Sequence, residues 1–181
     1  MGFLKNQILI AMPHMVDPLF CKSVIYICEH NKYGAFGLMV NKKVEDLDIR
    51  LDFRGDTNQY SKFHTDIYLG GPVSIENGIV LHHAKFQHEN TMKISSTIAM
   101  TNKQKILKEI KTKKNIPFKL ALGHCGWAPD QLEKEIENGD WLMQKTTDDF
   151  IFNFPSKQMW AQATHALGIE IESFIGNVGK A

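Results

Sequence analysis

The sequence has almost no net charge: 21 lysines and arginines stand against 20 aspartates and glutamates, leaving +1 at pH 7. A near-neutral chain has no global field to concentrate nucleic acid, an anionic membrane or an acidic substrate, so such a partner requires a local patch. Cysteine is scarce as well. Cys21, Cys28 and Cys125 are an odd number without CxxC spacing, which argues against a disulfide framework, a thioredoxin-like motif and a four-thiolate zinc site. No apolar run approaches the roughly 18 to 20 residues that cross a bilayer as a helix. Residues 1–6 lack the charged start and long apolar core of a secretory signal, and Asn6 stands where a myristoylation signal has Ser or Thr. These absences predict a protein of a reducing compartment, cytoplasmic and without a membrane partner.

What is present is ordinary for a folded chain. With 181 residues, 43% of them hydrophobic and 23% charged, the sequence can bury a core without staples. Apolar runs rich in Ile and Val predict strands over 7–12, 23–28 and 36–41, the second apolar on both faces, with Tyr26, Cys28 and His30 on one side. A helix over 45–53 and a polar loop over 54–62 follow, then strands over 66–69, 78–82 and 94–99. Thr101 and Gln104 form a capping-box pattern opening a helix over 102–114, with Ile106, Leu107 and Ile110 inward. Pro129 fits a first helical position, Leu132 and Ile136 form an inward stripe, and Gly139 is the stop; a last helix over 156–167 ends at Gly168. Strands over 119–122, 141–145 and 150–154 fill the gaps. No repeat or linker divides the pattern, which predicts a single α+β domain over 1–181.

Chemistry has four candidate locations. Gly123-His124-Cys125-Gly126-Trp127 reads as a strand-to-helix turn, and a helix N-terminus lowers a thiol pKa. His124 and Cys125 are therefore the candidate centre of a thiol- or histidine-dependent hydrolase or redox enzyme. Adjacent residues on an extended strand point to opposite faces, however, so a packed cysteine in an architectural turn is the favoured reading. His30, His82, His83, His88 and His124, with Cys28 or Glu29, match no recognised metal spacing, and no metal is expected. Residues 34–37 and 70–73 are glycine-rich but lack a Walker lysine and GxGxxG, which favours tight turns over a nucleotide, and no cofactor is expected. Lys105, Lys108 and Lys111 line the outer side of the helix over 102–114, which leaves direct nucleic-acid binding as an alternative to a solvated face.

Leu9-Ile10-Ala11-Met12-Pro13, Asp17-Pro18-Leu19-Phe20, Ser23-Val24-Ile25-Tyr26-Ile27-Cys28-Glu29-His30 and Gly34-Ala35-Phe36-Gly37-Leu38 closely resemble, in order and spacing, the opening of the YqgE/AlgH family. Gly70-Gly71-Pro72-Val73, Val80-Leu81-His82, Gly126-Trp127, Gln131-Leu132-Glu133, Trp141 and the stretch over 160–168 extend the resemblance nearly to the C-terminus. It implies a bacterial α+β fold in which a strongly curved, partly barrel-like mixed sheet is surrounded by helices. It implies no reaction: the family is largely uncharacterised, and some members carry a transcriptional-regulator label without a DNA-binding motif. His124-Cys125 departs from the aromatic and small residue commoner there, as Asn41-Lys42-Lys43 does from Asn-x-Pro.

The expectation is a non-enzymatic binding or regulatory protein that acts through a protein partner. Its candidate surface comprises Asp17, Glu29, His30, Asn41, Gly70, Gly71, His124, Cys125, Gly126 and Trp127, at the ends of buried strands where loops carry function on a rigid scaffold.

Overall fold

Apolar side chains on both faces of the first strands require cover from two sides, and the fold supplies it. In a computed structural model, which describes residues 4–46, 65–87, 89–102, 105–112 and 116–169, these strands lie inside a sheet. The strands are β1 (Gln7–Ala11), β2 (Val24–Asn31), β3 (Gly34–Met39), β4 (Ile67–Leu69), β5 (Val73–His83), β6 (Met92–Lys93), β7 (Ile98–Thr101), β8 (Phe118–Trp127) and β9 (Trp141–Lys145). They run in the order β6-β7-β5-β8-β3-β2-β1-β9, with β4 beside β8. All pairings are antiparallel except β4 with β8, so the sheet is mixed, strongly curled into a half-barrel and flanked by helices, an α+β architecture.

The period of two decides which layer each side chain enters. Ile8, Ile10, Val24, Tyr26 and Leu38 pack on one face under α3 (Asp148–Phe152) and α4 (Met159–Ala166), meeting Ile151, Met159 and Trp160. Leu9, Ala11, Ile25, Ile27 and Met39 pack on the other face, under Leu132 of α2 (Gln131–Glu137). Ile106, Leu107 and Ile110 of α1 (Lys105–Thr112) cover Val80, Leu120 and Leu122. Each fully buried Ile, Val, Leu or Met among them contributes about 1.5–3 kcal/mol.

Several expected elements change form. Of the strand expected over 94–99, Ile98 and Ala99 open β7, while 94–97 form a reversal between β6 and β7, because Ser95 Oγ accepts from the amides of Thr97 (3.2 Å) and Ile98 (3.0 Å). The strand expected over 150–154 is instead α3, whose start is fixed by Thr147 Oγ1 accepting from the Phe150 amide at 3.2 Å. Thr101 does not open α1. It ends β7, with its hydroxyl 3.0 Å from both His82 Nε2 and Thr91 Oγ1. Pro129 lies in the turn before α2, which starts at Gln131 behind Asp130 in a left-handed conformation. The helix expected over 45–53 begins as a 3₁₀ turn at Val44–Asp46, and its remainder, with the loop over 54–62, lies outside the described residues.

Two corrections bear on the site. β2 carries a bulge between Ile27 and Glu29, so Glu29 pairs with Phe36 and His30 with Ala35. The extra residue shifts the alternation, and His30 faces Leu4 and α2 rather than the layer of Tyr26 and Cys28. Gly123-His124-Cys125-Gly126-Trp127 is not a strand-to-helix turn but the second half of β8. Gly123, at φ +68°, reverses the alternation there as well. Ala121 packs with Tyr26 and Leu38, whereas Cys125 and Trp127 pack with Ile25 and Ile27.

Candidate binding site

β8 is the strand on which the site is built. β5 pairs along one edge, β4 lies parallel to Leu120–Leu122 on the other, and β3 takes that edge from Cys125 to Trp127. The exchange of partners happens at Gly123, where the chain passes so close to Gly71 that neither residue can carry a side chain. A Cβ on Gly123 would overlap the Gly71 carbonyl oxygen and lie 2.9 Å from that of Val73; one on Gly71 would overlap the His124 carbonyl.

Beyond this crossing, the end of β8, the β1–β2 connection, α2 and the start of β9 enclose a cavity of about 620 Å³. Its walls include Phe20, Trp127 and Trp141, with Val16 and Val73 at the margin. Val16 is 90% exposed and Val73 43%. Phe20 and Trp141 meet edge to face at 5.8 Å. The polar wall is organised around one carboxylate. Glu135 Oε2 accepts from both indoles, Trp127 Nε1 at 2.8 Å and Trp141 Nε1 at 2.9 Å, while Oε1 accepts from Gln131 Nε2 at 2.9 Å. Gln131 and Glu135 are one helical turn apart on α2, which places them on the same face. Gln131 Oε1 in turn accepts from the Ala128 amide at 3.0 Å. Indole N–H groups demand a partner when buried, and sharing one acceptor locks both rings in place.

Cys125, Gly126, Trp127 and Asp17 of the expected surface line this cavity. Asp17 stabilises its loop: Oδ1 accepts from the amides of Leu19 (2.8 Å) and Phe20 (3.0 Å), which holds Phe20 at the wall. Cys125 is a packed thiol, 2% exposed, 3.4 Å from the Gly70 carbonyl oxygen, and burial pushes its pKa up to about 12. Its neighbour His124 faces a different cavity, of about 530 Å³, with its ring 4.7 Å from that of Phe36, and burial lowers its pKa. The two do not form a nucleophile–base pair.

The other expected residues lie outside the lining of this cavity. Asn41 ties the strands together, Oδ1 accepting from the Val24 amide (2.8 Å) and Nδ2 donating to the Lys22 carbonyl (2.9 Å). His30 Nδ1 accepts from the Leu4 amide at 3.0 Å, so Nε2 carries the hydrogen and donates to Glu133 Oε1 at 2.9 Å. Glu29 is exposed and accepts from Asn31 Nδ2 at 2.9 Å. Gly70 and Gly71 form the crossing with β8. Among the described residues no group of three or more His, Cys, Asp or Glu side chains is arranged to hold a metal ion. His88 and the side chains of Lys105, Lys108 and Lys111 lie outside the description.

The family model described as AlgH-like matches residues 8–172. The chain belongs to the AlgH-like family. A UPF0301 protein of Shewanella frigidimarina is 40% identical over 186 residues, spanning 100% of both chains. The UPF0301 protein PMI0339 of Proteus mirabilis is 36% identical, spanning 98% of this chain and 99% of its own. The solution structure of the AlgH protein from Pseudomonas aeruginosa superposes with a TM-score of 0.74 at 31% identity, covering 99% of this chain and 97% of that one. The uncharacterised AlgH-like relatives bring no activity with them, so the reading rests on this chain's own geometry.

Sequence reasoning missed Phe20, Gln131, Glu135, Asp140 and Trp141 as cavity residues of this AlgH-like chain. The signal within reach was Glu135, four residues after Gln131 and between two tryptophans whose N–H groups need acceptors.

Proposed function

We propose that this AlgH-like protein is a binding or regulatory protein whose recognition site is the Trp127–Trp141 cavity, that this cavity binds without catalysing a reaction, and that its occupant is a cationic side chain with an apolar stem, an arginine or lysine of a partner protein. The observation that carries this reading is the composition of the wall. Asp17, Glu135 and Asp140 contribute three carboxylates, while no lysine or arginine lines it among the described residues. Aromatic faces beside carboxylates favour a cation through the ring quadrupole as well as through charge. The indole–Glu135 network also holds the rings in place before binding, which lowers the ordering cost of association.

Two blocked peptides of equal length test this, one alternating leucine with arginine and the other with glutamate in place of arginine. The arginine peptide should shift the indole N–H resonances of Trp127 and Trp141 saturably, and the glutamate peptide should not. Asp140→Asn should weaken the arginine peptide about twofold to fivefold, the ~0.5–1 kcal/mol of an exposed charge or cation–π contact. Equal shifts from both peptides, or none from either, would overturn the proposal.

A further inference from the structure

On the opposite face of the sheet, Lys119 of β8 enters the layer beneath α4 and is 4% exposed, a costly position for an ammonium without a carboxylate partner. Among the described residues no carboxylate lies within ion-pair distance of it. The Asp66 side chain nearby is instead paired with Lys43 at 2.8 Å. Lys119 Nζ donates to the Val40 carbonyl oxygen at 2.6 Å and to Ser156 Oγ at 3.3 Å, and lies 4.0 Å from Met159 Sδ and 4.2 Å from the Tyr68 ring centroid. The Tyr68 hydroxyl is 2.9 Å from the same Ser156 oxygen. A lysine, a serine and a tyrosine thus form one hydrogen-bonded chain. Ser156 and Tyr68 line a cavity of about 430 Å³, together with Lys43, Phe152 and Phe154, while Lys119 lies behind them, away from its lining.

We propose that Ser156 is a nucleophile and Lys119 its general base, in a site that transfers the acyl group of a small ester to water. This goes beyond the partner-binding reading and does not depend on it. The arrangement has the required order: a serine at the cavity wall, a base behind it, and a tyrosine hydroxyl, Tyr68, hydrogen-bonded to the serine oxygen and holding it in place. Burial, and next the charge of Lys43, lower the Lys119 pKa to about 7, against the opposite pull of Asp66. The unprotonated nitrogen, whose share grows as pH rises through about 7, accepts from Ser156, whereas the ammonium donates to it.

The step balances without a further reagent. Ser156 Oγ bonds to the ester carbonyl carbon as its proton passes to Lys119 Nζ. Collapse breaks the bond to the alcohol oxygen, which takes that proton and leaves as alcohol. Water then attacks the acyl group and gives a proton to Nζ, and Ser156 Oγ departs with it. The sum is ester plus water to acid plus alcohol. Phe152 and Phe154 supply an apolar wall for a short acyl chain, while Lys43 and Asp66, also in the lining, neutralise one another as an ion pair at 2.8 Å.

p-Nitrophenyl acetate and a fluorophosphonate are suitable probes on the full chain, with peptide mass mapping as the readout. Covalent labelling should fall on Ser156, disappear in Ser156→Ala, and slow by about 100-fold in Lys119→Met. Circular dichroism melts should show both variants folded. Should Lys119→Met fail to fold, the pH profile of wild-type labelling decides: a rate that rises through about pH 7 and levels above it supports the dyad, whereas a rate without that break overturns it. Absence of label on Ser156, or a folded Lys119→Met that labels at the wild-type rate, also overturns it.

Discussion

A thiol reacts through its thiolate, so position within the fold separates three chemically identical side chains. Burial raises Cys28 far above the ordinary thiol range, and Cys125 to about 12. Cys21, in the β1–β2 connection, is partly exposed. At pH 8 the native protein should therefore release one equivalent promptly from dithiobis(nitrobenzoate), and two more only when urea is added. Cys21→Ser should abolish the prompt equivalent. A second fast equivalent in the wild type would mean that the layer around Cys125 opens readily, and the thiol-enzyme reading would regain support. The same dependence on position applies to Asn41 and His30, which look like surface recognition residues in the sequence. Their side chains instead satisfy the Val24 and Leu4 amides, needs that arise only once the strands are placed.

At the scale of elements, β8 decides the architecture because it exchanges partners midway, and glycine is what permits the exchange. Gly123 sits at φ +68° against the backbone of Gly71 and Val73, so a methyl group there meets both conformational strain and overlap with main-chain atoms that cannot move aside. Gly123→Ala should cost more than about 3 kcal/mol in urea unfolding. Gly126→Ala, three residues on, should stay within about 1 kcal/mol, since its Cβ would meet only the His124 ring at 3.9 Å. Equal losses would contradict this account of the crossing. Elements differ in how far local sequence reveals them. Ile106, Leu107 and Ile110 are legible as the buried side of α1 because helical periodicity is local. The reversal at Ser95 and the helix after Thr147 are hidden, because Ile94, Phe150 and Phe152 favour strands by propensity while one hydroxyl at each place decides otherwise. The parity shifts at Cys28 and Gly123 are also hidden. A bulge changes no composition but sends every following side chain to the other face. The Trp127–Glu135–Trp141 cluster joins β8, α2 and β9, so only the tertiary arrangement brings its members together.

For the molecule as a whole, the buried titratable groups set how stability varies with pH, and they act in opposite directions. Lys119 has its pKa lowered from 10.5 to about 7, by burial first and then by Lys43. Between those values the unfolded chain binds more protons than the native one, so stability grows as pH rises from about 7 and is lost as pH falls through it. The buried acids work the other way. Cys125, raised from 9.0 to about 12, and Cys28, raised further, favour the native state in their neutral forms, and that advantage is lost as pH climbs above 9.0. Tyr26, raised from 10.0 by burial, extends the loss to higher pH. Together these groups predict a thermal midpoint that climbs from pH 7 to a maximum near 9 and then declines. Circular dichroism melts from pH 6 to 10.5 would trace it. In Lys119→Met the ascending limb should flatten, because the group whose protonation opposes folding is gone, while the descending limb should remain, because both thiols are intact. A wild-type profile already flat between pH 7 and 9 would show that Lys119 keeps its proton in the native state. The hydrogen bond to Ser156 would then run permanently outward from the ammonium, and no base would stand behind that serine.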